Sequence, residues 1–358
     1  MTRHGHSSSG AQRWRCKACN VSQVRHIDAC AKHLDEFLSW LLSGARQVDM
    51  PGAGRSFRRR CASLWQVWPL APVVDQVHDV VFADGIYLSR HVVIVIAQSR
   101  THVLGWYVAR NENSRSWEAL MNRIAPPLLV VSDGGSGFDK ARRAAWPNTR
   151  VQRCTFHAFG QIKKATTMRP KLEASQQLYA LGKDLLHVTT VEQARQWVQD
   201  YHQWCARWKD FVAEKTLSDN GWVYTHERLV RARNSMNRLI SNGVLFTFVD
   251  PHWDHAMPAM NNQIEGATNA PLRQVLRDHR GMRLTRRIKA VFWWCYMHSE
   301  HPLPAAKIVK VMPTDKHIET AWATACQEHP ITAIIPRWGD AICCNELHHT
   351  TPYHNPWD

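Results

Sequence analysis

The spacing of apolar residues changes along the chain and separates it into segments. From His33 to Trp65 the apolar positions recur with the period of an amphipathic helix. Gly52 and Gly54 interrupt this rhythm, and glycines so placed mark a turn. Residues 31–72 are therefore predicted to form a small helix-turn-helix.

The following segment has the composition of β-strands. The runs 79–84, 92–97 and 103–108 are rich in β-branched residues and predict three successive strands. The pattern then predicts a helix at 116–124, a buried strand at 128–132, a helix at 138–146, a short strand at 151–154 and a further helix. This order resembles the layout of the ribonuclease H-like fold, an α/β architecture with a mixed sheet.

A helical insertion is predicted to divide this core. Between Lys163 and Asn242 no stretch has the pattern of a strand, and polar and apolar residues follow a helical rhythm instead. Residues 163–255 are therefore predicted to be a helical insertion that separates the first part of the core, 73–162, from the last part, 256–300.

Two more features complete the prediction of domains. Trp197, Trp204 and Trp208 share one helical face of the insertion, which favours core packing over stacking on an unpaired or flipped base. Residues 301–358 are rich in proline and predict a loosely packed C-terminal extension.

The charge of the chain narrows the choice of partner. Lys and Arg number 45 against 30 Asp and Glu, giving a formal net charge of +15, which favours a polyanion such as nucleic acid, although many soluble proteins are basic. No signal peptide is apparent, and no apolar run approaches the roughly 18 residues of a membrane span. We therefore expect a protein of a reducing cytoplasm with no membrane partner.

The first 30 residues contain a pair of cysteines with two residues between them. Cys16 and Cys19, set among basic and aromatic residues, resemble one knuckle of a zinc ribbon. A structural zinc site needs four ligands, and a second cysteine pair is missing upstream. The side chains that could substitute are His4, His6, His26 and Cys30. We favour two unpaired thiols in a partial ribbon over 1–30 and leave zinc open.

The second helix of the predicted helix-turn-helix is strongly basic. Its arginines would contact DNA phosphates and guanines from the major groove, and they are Arg55, Arg58, Arg59 and Arg60. An ordinary solvated basic helix is the alternative, and the charge of the chain favours DNA.

Two of the predicted strands end in an aspartate that is followed by glycine. These are Asp84 before Gly85 and Asp133 before Gly134. A carboxylate at the end of a buried strand is costly unless it is paired or binds a metal, and glycine lets a ligand approach closely. Asp-Gly is more often a turn, but a pair on neighbouring strands favours a metal site.

A third carboxylate completes a plausible metal set. Glu265 lies between two helical patterns, and Gly266 and Pro271 predict a break near it with a new helix from about Asn269. Phosphodiester cleavage and strand transfer use two cations about 4 Å apart. Three carboxylates without Cys or His suit Mg²⁺, or Mn²⁺.

Basic residues follow Glu265 closely. Their density predicts contacts with DNA phosphates near the metal ions rather than a simple solvated face, and they are Arg273, Arg277, Arg280, Arg283, Arg286, Arg287 and Lys289.

The order of these motifs resembles that of the bacterial Mutator-type DDE transposases. The resemblance runs from about Asp79 to His298 and rests on Asp84-Gly85, Asp133-Gly134, the run from Arg153 to His157 and the run from Asn262 to Glu265. The zinc ribbon and helix-turn-helix of that family correspond to residues 11–65. The missing first zinc knuckle and Asn261, where threonine is common, depart from the family pattern.

The resemblance implies a function and roles for named residues. Asp84, Asp133 and Glu265 would hold two metal ions, water would cut at the ends of a mobile element, and the freed 3′ hydroxyl would attack target DNA. The resemblance assigns Cys154 and His157 to support of the active site, whereas this chain alone favours a buried cysteine beside a hydrogen-bonded histidine. The implied partners are double-stranded DNA and a second copy of the chain, in the cytoplasm at the bacterial nucleoid.

Two other functions fit parts of the sequence. A cleavage-inactive, DNA-binding remnant of a transposase would keep the basic residues without the chemistry. A ribonuclease H-like nuclease acting on RNA or junctions would share the metal chemistry but would have neither the helix-turn-helix nor the insertion.

Overall fold

A computed structural model of the chain describes residues 1–8, 10–24, 29–219 and 221–328, and the chain separates into two compact units. The first unit comprises Met1–Val67 and Leu303–Met312. The second comprises Trp68–Pro302 and the chain from Pro313 onward. The predicted zinc ligand His26 and the part of the predicted extension beyond residue 328 lie outside the described residues.

The first unit joins a small sheet to helices. The strands β1 (Thr2–His6), β2 (Gln12–Arg15) and β3 (Ser22–Val24) form an antiparallel sheet in that order. The helices α1 (Cys30–Leu41) and α2 (Ala53–Cys61) follow, so both helices of the predicted helix-turn-helix are present.

The predicted apolar face of α1 forms the core of this unit. Leu34, Phe37 and Leu41 are fully buried, as their helical spacing predicts. Trp40 packs edge-on against Phe57 of α2 with ring centroids 5.5 Å apart, which joins the two helices. The helix at Ala305–Val311, within the predicted C-terminal extension, also packs on α1.

The second unit is built on a five-stranded mixed sheet with the order β6-β5-β4-β7-β8. Its strands and helices follow the predicted sequence of three strands, helix, strand, helix, strand and helix. They are β4 (Val80–Ser89), β5 (Val92–Gln98), β6 (Val103–Ala109), α3 (Ser114–Met121), β7 (Leu129–Ser132), α4 (Ser136–Ala145), β8 (Arg150–Arg153) and α5 (Thr155–Thr166). The strands β4, β5 and β6 pair antiparallel, whereas β7 pairs parallel with both β4 and β8.

The prediction that the first strand ends at Asp84 is wrong. β4 continues to Ser89, because Ile86 and Leu88 extend the alternation of buried residues and Gly85 remains paired with Val95 of β5. The aspartate that follows β7, Asp133, does lie just beyond its strand, as predicted.

The helical segment contains α6 (Glu173–Asp184), α7 (Val191–Arg207), α8 (Lys209–Ala213) and α9 (Glu227–Ser241). The prediction that it has no strand is wrong, because β9 (Lys215–Ser218) and β10 (Gly221–Tyr224) pair antiparallel. The hairpin is almost wholly exposed, so it lacks the buried face that makes a strand visible in a hydrophobic pattern. Its signal in the sequence was the dipeptide Asn220-Gly221, which is typical of hairpin turns, and Gly221 has a φ of +100°.

The predicted core packing of the three tryptophans is confirmed. Trp197 and Trp204 are each 3% exposed, and their indole N–H groups donate to the carbonyls of Leu181 and Ala174. The indole of Trp208 donates to Gln177 Oε1 at 2.9 Å. Rings held in this way are not available to stack on a DNA base.

The chain around Glu265 is helical but irregular, in agreement with the predicted break. A short helix α10 (Asn262–Ile264) runs into a π-helical turn at Glu265–Asn269, and α11 (Ala270–Asp278) begins at the next residue. The helices α12 (Leu284–Met297), α13 (Ala305–Val311) and α14 (Asp315–Glu328) follow. Within the described residues, no helix is both long enough and apolar enough to cross a membrane.

A buried charge cluster attaches the start of α14 to α12. Lys289 is 1% exposed, and its Nζ lies 2.6 Å from Asp315 Oδ1 and 4.4 Å from the centre of the Trp68 ring. The Trp68 indole also donates to Asp315, at 2.6 Å. One carboxylate, whose side chain is 21% exposed, therefore accepts from two donors on buried residues.

We expect Asp315→Ala to lower the free energy of unfolding by about 3 kcal/mol, because it removes the carboxylate that compensates a buried ammonium group. Urea denaturation followed by circular dichroism would measure the change. Asp139→Ala is the matched control, since it removes the ion pairs of a partly exposed carboxylate with Arg142 and Arg143 and should cost less than about 1 kcal/mol. Equal losses in the two variants would contradict the prediction.

Candidate active site

The pairing of two parallel strands puts two aspartates at the same level of the sheet. The last parallel pair between β4 and β7 joins Phe82 to Val131. Asp84 and Asp133 each follow two residues later on their own strand, so they leave the paired region side by side. Two carboxylates that were predicted from separate motifs are thus brought together by the strand register.

Asp84 is the most enclosed of the predicted acidic residues. Its Oδ1 accepts a hydrogen bond from the Gly85 backbone N–H at 2.8 Å, and its Oδ2 accepts one from Asn269 Nδ2 at 2.7 Å. Burial, the largest cause, and the negative charges of Asp133 and Glu265 together raise the pKa of Asp84 to about 6, against the Gly85 hydrogen bond. The three predicted carboxylates therefore share one electrostatic environment.

Glu265 approaches this environment from the π-helical turn. Its Oε1 is buried and has no hydrogen-bond partner among the described residues. His157 Nδ1 lies 3.6 Å from that oxygen. Asn269, at the end of the same turn, reaches Asp84, so a short segment of helix supplies both a carboxylate and an amide.

Cys154 and His157 join this helical segment to the sheet. Cys154 is fully buried directly after β8, and its Sγ accepts a hydrogen bond from the Asn261 backbone N–H at 3.3 Å. The neighbouring Cys154 thiol raises the pKa of His157, as do the charges of Glu265 and Asp133, while burial opposes the shift. This geometry agrees with a positioning role and equally with the simpler interpretation of a buried cysteine beside a partnered histidine.

A fourth carboxylate, Glu112, lies at the same site and was missed by the sequence reasoning. It sits between β6 and α3, and a side-chain hydrogen bond joins it to Tyr87. Its carboxylate fills the space that a Cβ on Gly85 would occupy. Burial raises the pKa of Glu112 to about 7, with further contributions from Asp133 and Asp84.

Arg153, the last residue of β8, was also given no role. Its side chain is 6% exposed, and within the described chain its Nε and Nη1 have no hydrogen-bond partner. Burial lowers its pKa, and the charge of Asp133 acts in the opposite direction. The only signal in the sequence was that this arginine directly precedes Cys154 at the end of a buried strand.

The predicted DNA-binding arginines fall in two places. In the first unit, Arg55, Arg58 and Arg59 are exposed or partly exposed on α2, whereas Arg60 is half-buried and pairs with Glu36 at 3.1 Å. In the second unit, the predicted residues lie on α11 and α12 or between them, and they are Arg273, Arg277, Arg280, Arg286 and Arg287. All five arginines follow the Glu265 turn in the sequence.

The cysteine pair of the first unit forms a compact turn between β2 and β3. Asn20 N–H donates to the Cys16 carbonyl at 2.9 Å, and Cys16 N–H donates to that of Val21 at 2.9 Å. Hydrogen bonds from the backbone of Cys19 and Ala18 lower the pKa of the Cys16 thiol. Such a turn has the form of a single metal knuckle, but the sulfurs are only two of the four ligands that zinc requires.

In the described part of the chain, neither the predicted carboxylate site nor the predicted zinc site has its ligands in place to coordinate a metal ion. Across residues 1–8, 10–24, 29–219 and 221–328, no group of three or more His, Cys, Asp or Glu side chains is arranged to hold a metal ion. The carboxylates around Asp84 interact through their charges without being gathered around one point. Side-chain rotation would be needed for them to coordinate the same ion.

Comparisons with known proteins identify the family. The family model for transposases of the Mutator family matches residues 57–245. The chain is 26% identical over 239 residues to the transposase for insertion sequence element IS406 of Burkholderia multivorans, which covers 61% of this chain and 59% of that protein.

Two further relatives match shorter stretches. The transposase for insertion sequence element IS905 of Lactococcus lactis is 32% identical over 96 residues, covering 22% of this chain and 25% of that protein. The transposase for ISRM3 of Rhizobium meliloti is 29% identical over 129 residues, covering 31% and 32%. The chain thus spans between a quarter and three fifths of these relatives' lengths. Because the family model matches more than half of the sequence, the chain belongs to the Mutator family of transposases.

Proposed function

We propose that this protein is a DNA transposase whose ribonuclease H-like core cuts and joins DNA strands with two Mg²⁺ or Mn²⁺ ions held by Asp84, Asp133 and Glu265. The observation that carries the proposal is the common level of Asp84 on β4 and Asp133 directly after β7, together with the charge of Glu265 acting on Asp84. Bound there, the ions would activate an attacking oxygen and stabilise a leaving one.

The chemistry of the residues fits divalent cations. All the candidate ligands are oxygen atoms, the kind that Mg²⁺ prefers. Glu265 Oε1 and Asn269 Oδ1 are buried without a hydrogen-bond partner in the described chain, so each has an unused lone pair. Burial, and secondarily the neighbouring carboxylates, raise the pKa values of Asp84 and Glu112, and a bound cation would stabilise their ionised forms.

Other residues would hold the carboxylates in place. Asn269 donates to Asp84, and Gly85 fixes the second oxygen of that carboxylate, which limits its rotation. His157, beside Glu265, would orient that side chain and would carry a proton more readily than an isolated histidine. Cys154 attaches the segment of Glu265 to β8 through Asn261.

The proposed DNA contacts use the basic residues of both units. The exposed arginines of α2, Arg55, Arg58 and Arg59, would bind the ends of the element, as the family resemblance implies. Those of α11 and α12 would bind phosphates near the carboxylates. A second copy of the chain would process the second end. Zinc at Cys16 and Cys19 would need ligands beyond this pair.

We expect Asp133→Ala to reduce cleavage of a duplex carrying the terminal inverted repeat by at least about a hundredfold in Mg²⁺, because one ligand of the metal pair is lost. Gel electrophoresis of end-labelled DNA would measure the rate. Asp139→Ala on the neighbouring α4 removes the same charge and should leave cleavage unchanged. Equal cleavage by wild type and Asp133→Ala would overturn the proposal and favour a cleavage-inactive DNA-binding remnant.

Without metal, the buried carboxylate of Asp84 should make the free energy of unfolding depend on pH. In the folded protein the pKa of Asp84 is raised from 3.8 to about 6, so the folded state binds more protons than the unfolded state between these values. Stability should therefore fall as pH rises through that window and stay low above it. With a chelator at pH 8, Asp84→Asn should be about 1–2 kcal/mol more stable than wild type, and this advantage should disappear near pH 4.

Thermal denaturation at the two pH values would measure this difference. Asn269 could turn its amide to accept from the amide introduced at position 84, because its own Oδ1 lacks a partner in the described chain. Mg²⁺ should stabilise wild type and not the variant. A less stable Asp84→Asn protein at pH 8 would contradict the prediction.

We also expect Glu112 to contribute to cleavage. Glu112→Gln keeps the shape of the side chain and removes its charge, so it should lower the cleavage rate by about tenfold or more while leaving DNA binding in chelator unchanged. Glu118→Gln on α3 is the matched control, since its exposed side chain lies outside this cluster. A Glu112→Gln protein that cleaves at the wild-type rate would exclude the residue from the chemistry.

A further inference from the structure

The guanidinium group of Arg153 is buried without the partners that such a group normally has. Only 6% of the residue is exposed, yet Nε and Nη1 have no hydrogen-bond partner among the described residues. Its backbone is fully used, since its N–H donates to Val244 at 2.7 Å and its strand pairs with β7. Burying charged donors unsatisfied is costly, so such a group points to a missing ligand.

The group lies against the turn that carries Asp133. Arg153 Nη1 occupies the space that a Cβ on Gly134 would fill, and Gly134 adopts a φ of +81°. A larger residue at 134 would therefore be strained and would also displace the arginine. Asp133 is close enough to act on Arg153 through its charge, but the two form no ion pair in the described chain.

A second arginine approaches the same place. Arg238 is exposed on α9, six residues before Val244, whose carbonyl accepts the Arg153 N–H at 2.7 Å, and its positive charge acts on Arg153. No ion pair involves either arginine in the part of the chain that the structure describes. The two guanidinium groups repel each other, and neither is paired with a carboxylate of the described residues. An anion bound between them would offset that repulsion.

We propose that Arg153 and Arg238 form a binding site for a DNA backbone phosphate next to the carboxylates of the proposed active site. The inference rests on the proposed function and adds to it a specific phosphate contact. The Arg153 guanidinium is a planar group that can match the oxygens of a phosphate, and rotation of its side chain away from Gly134 would present the Nε and Nη1 donors to the DNA. Arg238 adds a second contact from α9, outside the sheet.

Two properties of the Arg153→Gln variant separate a ligand site from a structural arginine. The variant should be as stable as wild type or more stable in the absence of DNA, because it removes an uncompensated buried charge. It should also bind a 30-base-pair fluorescent duplex about tenfold more weakly in chelator, and the slope of log Kd against log salt concentration should fall by about one. Arg153→Lys keeps the charge without the fork and should bind with intermediate affinity.

Arg207→Gln is the matched control, because it removes the same charge from α7, where Arg207 is paired with Glu173 at 2.8 Å. Its affinity and salt slope should equal those of wild type. Duplexes in which single phosphates are replaced by methylphosphonates would then locate the contact. One position should weaken binding by wild type and have no further effect on Arg153→Gln.

Each result supports or overturns the site. Loss of stability in Arg153→Gln without DNA, with unchanged DNA affinity, would make Arg153 a structural partner of Asp133. The site would also be overturned if the losses of affinity from Arg153→Gln and from the methylphosphonate were additive at every position. An equal loss of affinity in Arg207→Gln would overturn it too. These measurements need no cleavage, so failure of wild type to cut DNA would overturn the proposed function alone, whereas a cleaving enzyme with unchanged Arg153→Gln binding would overturn only the phosphate site.

Discussion

The parallel pairing of β4 with β7 is the constraint on which the candidate site depends. It ends at Phe82 and Val131, and the two chains then continue with an aspartate at the same level on each. On one side, antiparallel pairing with β5 continues past Asp84 and keeps its backbone rigid. On the other side, β7 stops and Gly134 turns the chain toward α4. One carboxylate is thus held by a strand and the other by a turn.

The surrounding residues concentrate uncompensated charge in a small volume. Asp84 and Glu112 have raised pKa values because burial and neighbouring carboxylates disfavour their ionised forms. Beside the turn of Asp133, the buried Arg153 carries the opposite charge, and its Nε and Nη1 have no partner in the described chain. Unpaired buried charges of this kind do not contribute to stability. Under the proposed function, cations near the carboxylates and a polyanion near the arginine would compensate both charges.

Much of the fold could be predicted because its buried strands and amphipathic helices have clear periods. The five strands of the large sheet, the helical rhythm of the insertion and the irregular helix at Glu265 all follow from local patterns. The β9–β10 hairpin could not be found in this way, since it buries no face. The continuation of β4 past Asp84 was missed because Asp-Gly normally indicates a turn, whereas here pairing with β5 outweighs that preference.

The residues of the candidate site that belong to sequence motifs could be predicted. Those that only the fold brings to the site could not. Asp84, Asp133 and Glu265 were predicted because aspartate after an apolar run is costly and because the order of motifs resembles a known family. Glu112 lies in a polar loop with no such signal, and only its position over Gly85 reveals it. Arg153 stands in a recognised motif, but a sequence cannot report that a guanidinium group is both buried and unpartnered.

The first unit is discontinuous in sequence, because the helix at Ala305–Val311 packs on α1. During synthesis, α1 leaves the ribosome long before this helix, and every strand of the large sheet is made in between. The apolar side of α1 that receives the helix therefore remains uncovered throughout translation of the second unit's sheet. Completion of the N-terminal unit thus has to wait until nearly the whole of the described chain has been translated.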